Sequence, residues 1–470
     1  MQASLPLRSG LRIALPLTLL FATPTLADTL HVPAEYSTIQ AAIDAAVPGD
    51  IVLIADGVYT GPGNRDLDFA GKAITVKSAH GPENCIIDCE GTFEEPYRGV
   101  IFDDGETRAA ILDGVTITGG ATEVGAVLPQ FNGGAIQILN DSSPTIRHCI
   151  LRGNQAACWG GALSINHSSP RIENTLITEN SSGDDGGGVF AWNGGEPVLV
   201  GVMITDNVAA SIGGGVCDFG SSLVLVHVTI AGNTAPFGAG AYLFGSTLGN
   251  SIVWGNHGGV ALEGSSNDVY YSDVEGGVPG VANVDLDPSF RDPVNGDYRL
   301  RFDSPCIDRG ISQTSADPLP AFDIDRRDNR TIGFLDMGAD EVSIDLSLEG
   351  TPEAGGAPIH FAASATVTQA GDRAEVFLAL GDGLAGGLPV PGGGGRTLDL
   401  DADSLFSFWL SLPPVLRRID LTGPSPAATV PVAIPASAPV GVEVFFAPIV
   451  WELPEGTVSS VGATQSFLIQ

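Results

Sequence analysis

The sequence predicts an all-β chain whose larger part is a parallel β-helix, and three regularities predict it. Glycine pairs Gly133-Gly134, Gly160-Gly161, Gly186-Gly187 and Gly213-Gly214 recur at steps of 27, 26 and 27 residues, and Gly238 follows 25 later with Ala239 in second place. An asparagine recurs in phase at Asn154, Asn180, Asn207, Asn233 and Asn256. The strings that close on it are CILRGN, TLITEN, VMITDN, VTIAGN and SIVWGN, short β-branched runs with a period of two and not 3.6. Such a unit is too short for a two-helix repeat of about 33 residues, and the spaced leucines of a leucine-rich repeat are missing. One coil per repeat with about three short strands stacks equivalent residues at ~4.8 Å.

The parts of the coil follow from their chemistry. Glycines belong at turns that need positive φ or close backbone approach. A stack of asparagines at one turn can form a ladder in which each amide donates to one neighbour and accepts from the other, which satisfies a buried polar group without water. Ahead of the coils, Ser37 to Ala46 reads as a short amphipathic helix. Ser37 and Gln40 suit a capping box, and Ile39, Ala42, Ile43 and Ala46 share one face that can cover the open end of a solenoid.

Composition limits the partners. The chain has 470 residues, 62 of them glycine, about 13% against a usual ~7%. Its 43% hydrophobic content is enough for a core. A net charge of −34 excludes a nucleic-acid backbone or an anionic lipid surface as a partner held by charge. Residues 1–27 read as an export signal: Arg8 and Arg12, an apolar run from Ile13 to Ala22 too short to span a bilayer, and small residues at Thr25 and Ala27. No other stretch suggests a membrane span, so a secreted or surface location is expected. Six cysteines suit an oxidising compartment. Cys85 and Cys89 share a strand face about 13 Å apart, too far to bridge. Cys149, Cys158, Cys217 and Cys306 show no zinc spacing.

The segment from His31 to Gly61 (HVPAEYSTIQAAIDAAVPGDIVLIADGVYTG), then ENCIIDCEG, ILDGVTITGG and the coils, resembles secreted right-handed parallel β-helix proteins of the pectate-lyase-like superfamily. DPSFRDPVNGDYRLRFDSPCIDRG and DMGADE, ending at Glu341, resemble the close of uncharacterised bacterial members. The resemblance implies a right-handed helix over 28–342. It leaves activity open, because the superfamily spans lyases, hydrolases, esterases, epimerases and binding proteins. Pectin methylesterase motifs (QDTL, DFIFG) and polygalacturonase motifs (NTD, GHG, RIK) are absent. After Glu341 the alternating runs and Gly/Pro clusters of residues 343–470 predict a small β-sandwich. DIDRRDN from Asp323 and DLDADS from Asp399 lack the EF-hand pattern.

Two constellations stand out as candidate sites. Glu179 and Asp206 each precede a ladder asparagine, one coil apart, with Asp184 and Asp185 on the next turn and Arg152 one coil below. Stacked carboxylates bind a cation or raise one pKa. The set is therefore a candidate Ca²⁺ site with a basic neighbour, as a lyase or epimerase acting on an acidic polysaccharide needs; the alternative is a solvated acidic turn. The second constellation is aromatic. Ile136, Leu163, Val189, Val216 and Ala241 take the inward position after the Gly pair, which sends Gln137, Ser164, Phe190, Cys217 and Tyr242 outward, followed on the same face by Leu139, Asn166, Trp192, Phe219 and Phe244. Phe190, Trp192, Phe219, Tyr242 and Phe244 then form one exposed patch, either a platform for sugar rings or a surface that the C-terminal domain or a loop covers. The same phase turns Asp218 inward, so the strand is expected to end before it. Three functions follow: polysaccharide binding or a structural, adhesive role; Ca²⁺-dependent elimination or epimerisation; or a solenoid with no ligand.

Overall fold

The computed structural model describes residues 27–124 and 132–301, shorter stretches within 304–340, and the backbone of strands between 344 and 468. Residues 1–26, which hold most of the expected export signal, lie outside the described residues. The strands stack into three long parallel faces. The first has ten strands, from Thr29–Val32 to Asp268–Tyr270; the second has nine, from Gly57–Tyr59 to Asp273–Val274; the third has eight, from Leu67–Asp68 to Leu262–Ser265. Each strand pairs in parallel with its equivalent on the next coil, as Ile136, Leu163, Val189, Val216 and Ala241 do. All five are fully buried, as alternation requires.

One coil shows the path. Val189–Trp192 lies on the third face, Val198–Val200 on the first, and Met203–Thr205 on the second; a short strand, Val208–Ala209, follows the ladder asparagine. Asn154, Asn180, Asn207 and Asn233 each donate from Nδ2 to the next asparagine's Oδ1 at 2.9–3.0 Å, and the run ends on Asn256. The same oxygens accept the backbone N–H of the preceding asparagine. The glycine pair has two separate causes. Gly160 has a φ of +67°, and a Cβ on Gly161 would collide with the Gly187 carbonyl of the next coil. Ala239 is tolerated in the fifth pair, where it is fully buried.

The residue before each ladder asparagine is also left-handed. Gly153, Glu179, Asp206, Gly232 and Gly255 have φ between 55° and 69°. Three of these five coils meet that requirement with glycine, and two meet it with an acid.

The helix spans Ile39–Ala45 and packs on Thr29–Val32, Ile51–Ile54 and Leu67–Asp68, where the stack begins. Ile39, Ala42, Ile43 and Ala46 are buried as expected. The capping box is not formed. Thr38 is the N-cap and accepts from the Ala41 N–H, while Gln40 bonds Asp44 and both backbone groups of Asp68. The strand expected to stop before Asp218 instead runs Val216–Phe219. Asp218 points inward at 0% exposure and accepts from Ser221 N–H, Ser221 Oγ and Ser246 Oγ, which makes its burial tolerable. All six cysteines are free thiols, five of them buried; burial pushes Cys85 and Cys149 up to about 12.

After Val284, which still bridges Asp273 in parallel, the chain leaves the coil path and returns across the second face. Phe290–Asp292 pairs antiparallel with Asp297–Leu300 around a 3₁₀ turn at Pro293–Asn295. Tyr298 Oη donates to Asp206 Oδ1 at 2.7 Å, Cys306 Sγ to Asp273 Oδ2 at 3.2 Å, and Ala339 N–H to Thr229 Oγ1 at 3.0 Å. Gly232 makes room for this, since a Cβ there would strike Tyr298 Oη and Asp206. In the C-terminal region Ile344–Glu349, Ile359–Ala365 and Ala427–Val432 form one antiparallel sheet. Arg373–Gly381 pairs with Arg418–Thr422 and Glu443–Glu452 in another. The expected strand DLDADSLFSFWL lies outside the described residues.

Candidate functional site

The aromatic residues of the third face come together. Phe190 pairs with Ser164 and Cys217, and Trp192 with Asn166 and Phe219, so the rings occupy adjacent coils of one outer surface. Phe190 and Phe219 have ring centroids 5.9 Å apart, and Phe219 and Tyr242 5.6 Å. Phe190 and Trp192 lie at 6.3 Å. Trp159, which strand alternation does not find, completes the set. It sits in the loop just before Gly160 and reaches onto the next coil, stacking on Phe190 at 4.9 Å and 21° and meeting Trp192 edge-on at 5.4 Å.

This arrangement corrects one expectation. Phe190 faces outward but is only 1% exposed, because Trp159 roofs it. Trp192 and Tyr242 are half-buried, while Phe219 at 41% and Phe244 at 51% are open. The patch is a fixed, mutually packed array with an exposed edge, and not five free rings. Edge-on and offset contacts of this kind hold aromatic rings in place.

Polar groups line the array. Trp159 Nε1 donates to Asp184 Oδ2 at 3.3 Å. Asp185 is 8% exposed, and its Oδ1 has no hydrogen-bond partner. Burial and the neighbouring Asp184 raise its carboxyl above the ordinary range. Ser164 Oγ and Trp192 Nε1 are also shielded and unpartnered.

The acidic constellation is placed differently from the expectation. Glu179 is exposed and Asp206 half-buried, one coil apart. Burial raises the Asp206 carboxyl, the Tyr298 hydrogen bond offsets part of the rise, and Glu179 adds to it. No three of Glu179, Asp184, Asp185 and Asp206 offer oxygens within 4.8 Å of one another. The physical reason is the ladder turn, which separates Glu179 and Asp206 from the loop of Asp184 and Asp185, while the returning hairpin takes up Asp206. Arg152 is exposed on the second face, in register with Thr178. Among the described residues the acids that do converge are Asp68, Asp103 and Asp104, at the far end of the third face. Burial and those two neighbours raise Asp103.

The returning hairpin leaves a cleft on each side, and Tyr298 lines both. One, of about 600 Å³, is bordered by Trp254, His257, Phe290, Val294 and Arg301; the other, of about 510 Å³, by His80, His148, Met203 and Arg299. Arg299 is paired with Asp297 at 2.7 Å, and His148 with Asp113 at 2.8 Å.

The three-faced parallel stack defines the class, and residues 92–274 match the family model described as a right handed beta helix region. The expected right-handed parallel β-helix is therefore present over these coils. No curated protein sequence matches the chain. The structure of rice weevil pectin methyl esterase is similar at 15% identity and a TM-score of 0.28, over 61% of this chain and 84% of that chain. Among the described residues, no helix is long and apolar enough to cross a membrane.

Proposed function

We propose that the third face is a glycan-contact platform and that the protein is an exported binding or structural protein. The observation that carries this reading is the continuous ring array from Trp159 to Tyr242, with Phe219 and Phe244 open beside it. Rigid rings with an exposed edge stack on sugar faces at little entropic cost. The unpartnered polar atoms beside them match the hydroxyl-rich edges of a sugar. On this reading residues 1–27 direct export, and residues 343–470 form a β-sandwich that positions the platform at the cell surface.

Lyase or epimerase chemistry at Glu179 and Asp206 has less support. The Asp206 carboxyl is held by Tyr298, and the four acids do not converge. The two readings separate in an affinity gel cast with polysaccharide. The full chain is retarded on at least one glycan, and Trp192→Ala and Phe219→Ala migrate faster than wild type. Release of unsaturated product from a polyuronate in the presence of Ca²⁺, lost in Asp206→Asn, would favour elimination instead; free migration of wild type on every glycan rejects the platform.

A further inference from the structure

The charge around the platform narrows its ligand. From residue 172 to residue 290, which covers every coil carrying Phe190, Trp192, Phe219, Tyr242 and Phe244, the chain has not one Lys or Arg, while thirteen Asp and Glu are spread over all its faces, among them Asp184 beside Trp159 and Glu263 in register with Tyr242. The basic groups just outside this stretch are engaged elsewhere. Arg171 pairs with Glu173 on the first face, and Arg147 with Asp113 at 3.0 Å. Arg98 donates to the carbonyls of Asn132 and Gly133. His167, beside the strand end at Trp192, is held by Asp141 at 3.0 Å. A polyuronate laid along the rings would set a row of carboxylates against this field with no cation to meet it.

A glycan carrying protonated amines meets the opposite conditions. The faces of Trp, Tyr and Phe attract ammonium groups through the ring quadrupole. Asp184 is held at the edge of the array by the Trp159 N–H. Asp185 adds a carboxylate oxygen that is shielded from water and lacks a donor. A buried acceptor without a donor is costly, and a ligand N–H or O–H relieves it.

We infer that the platform selects an amino-sugar glycan with free amines over both its uncharged counterpart and a uronate. The inference rests on the glycan-contact reading of the same face and adds the ligand's charge class.

The test is calorimetric titration of the full chain at about pH 5, where amines are protonated, with three hexasaccharides: glucosamine, N-acetylglucosamine and galacturonate. The glucosamine form binds on the order of tenfold tighter than the N-acetyl form, and the galacturonate form gives no heat. Trp192→Ala and Phe219→Ala weaken both binders, and Asp185→Asn removes most of the preference for the amine. Equal binding of the glucosamine and N-acetyl forms, sensitive to Trp192→Ala, overturns the inference and leaves the glycan reading standing. Tighter binding of galacturonate overturns the inference. Glucosamine binding that neither ring variant changes is adsorption to an acidic protein and also overturns it. No binding of any of the three to a folded chain removes the glycan reading itself.

Discussion

The second and third faces of the solenoid are built from the same coils, yet they meet their surroundings in opposite ways. The second face carries the Glu179 and Asp206 pair, and the chain itself returns to cover it through Tyr298, Cys306 and Ala339. The third face carries a ring array whose outer edge, Phe219 and Phe244, is left open. A repeating scaffold supplies equivalent positions on every coil, and the chain segment beyond the last coil decides which of those surfaces is available. Asp206, which looks like part of a site in the sequence, is used for closure, whereas Phe219 and Phe244, at the outer edge of the ring array, remain exposed.

The largest effect tests the frame that both faces share. Asn207→Ala removes an amide that donates to Ile177 O and Asn233 Oδ1 and accepts from Asn180. It costs ~3 kcal/mol, read as a lower urea midpoint, and both faces lose protection together in hydrogen exchange. If only one face responds, the ladder is not the common support.

Tyr298→Phe separates the faces. It takes the donor from the half-buried Asp206 carboxylate and costs ~1.5 kcal/mol. Amide exchange rises in 290–300 and 203–206 and stays unchanged in 189–192, and retention on a glycan gel is kept.

A smaller effect concerns Asp273, whose carboxyl burial raises to about 6 from 3.8. A carboxyl with a raised folded pKa contributes stability that is complete below its unfolded value and is lost as pH rises through the folded one. Wild type should therefore fall in stability relative to Asp273→Asn between about pH 4 and pH 6, with a constant gap above that range. A wild-type stability that rises relative to Asp273→Asn over the same range would contradict the assignment.

Glu179→Gly is the mildest test. The backbone there has a φ of +57°, where Gly153 and Gly232 occupy the equivalent places. The change stabilises by up to ~1 kcal/mol. A loss of stability would show that Glu179 makes a contact worth more than the strain.

The extent to which the fold and the site are legible in the sequence tracks the periodicity. The inward column from Ile136 to Ala241, the outward column from Gln137 to Tyr242 and the asparagine ladder are all strand or turn positions fixed by the repeat, and each is found where the phase puts it. Trp159 escapes the pattern because it lies in the loop before Gly160, where alternation carries no information. Its absence from the pattern is also why Phe190 reads as exposed in the sequence. The strand through Asp218 reads as too short because an inward acid looks forbidden, whereas Ser221 and Ser246 satisfy it from its own turn and the next coil. Glu179 and Asp206 read as chemistry, but their place is a left-handed backbone position that Gly153, Gly232 and Gly255 also serve. The hairpin over the second face has no repeat to announce it, so the contact from Tyr298 to Asp206, 92 residues apart, is not readable from the sequence.

The most direct test of the claim that the third face is the presented surface is hydroxyl-radical footprinting of the full chain with and without the glycan that retards it. Trp254, which lines a cleft beside the hairpin, is the internal control. A presented third face gives ligand protection at Trp159, Trp192, Phe219 and Phe244 with Trp254 and Tyr298 unchanged. Protection at Trp254 and Tyr298, with Trp192 and Phe219 oxidised as before, would contradict it.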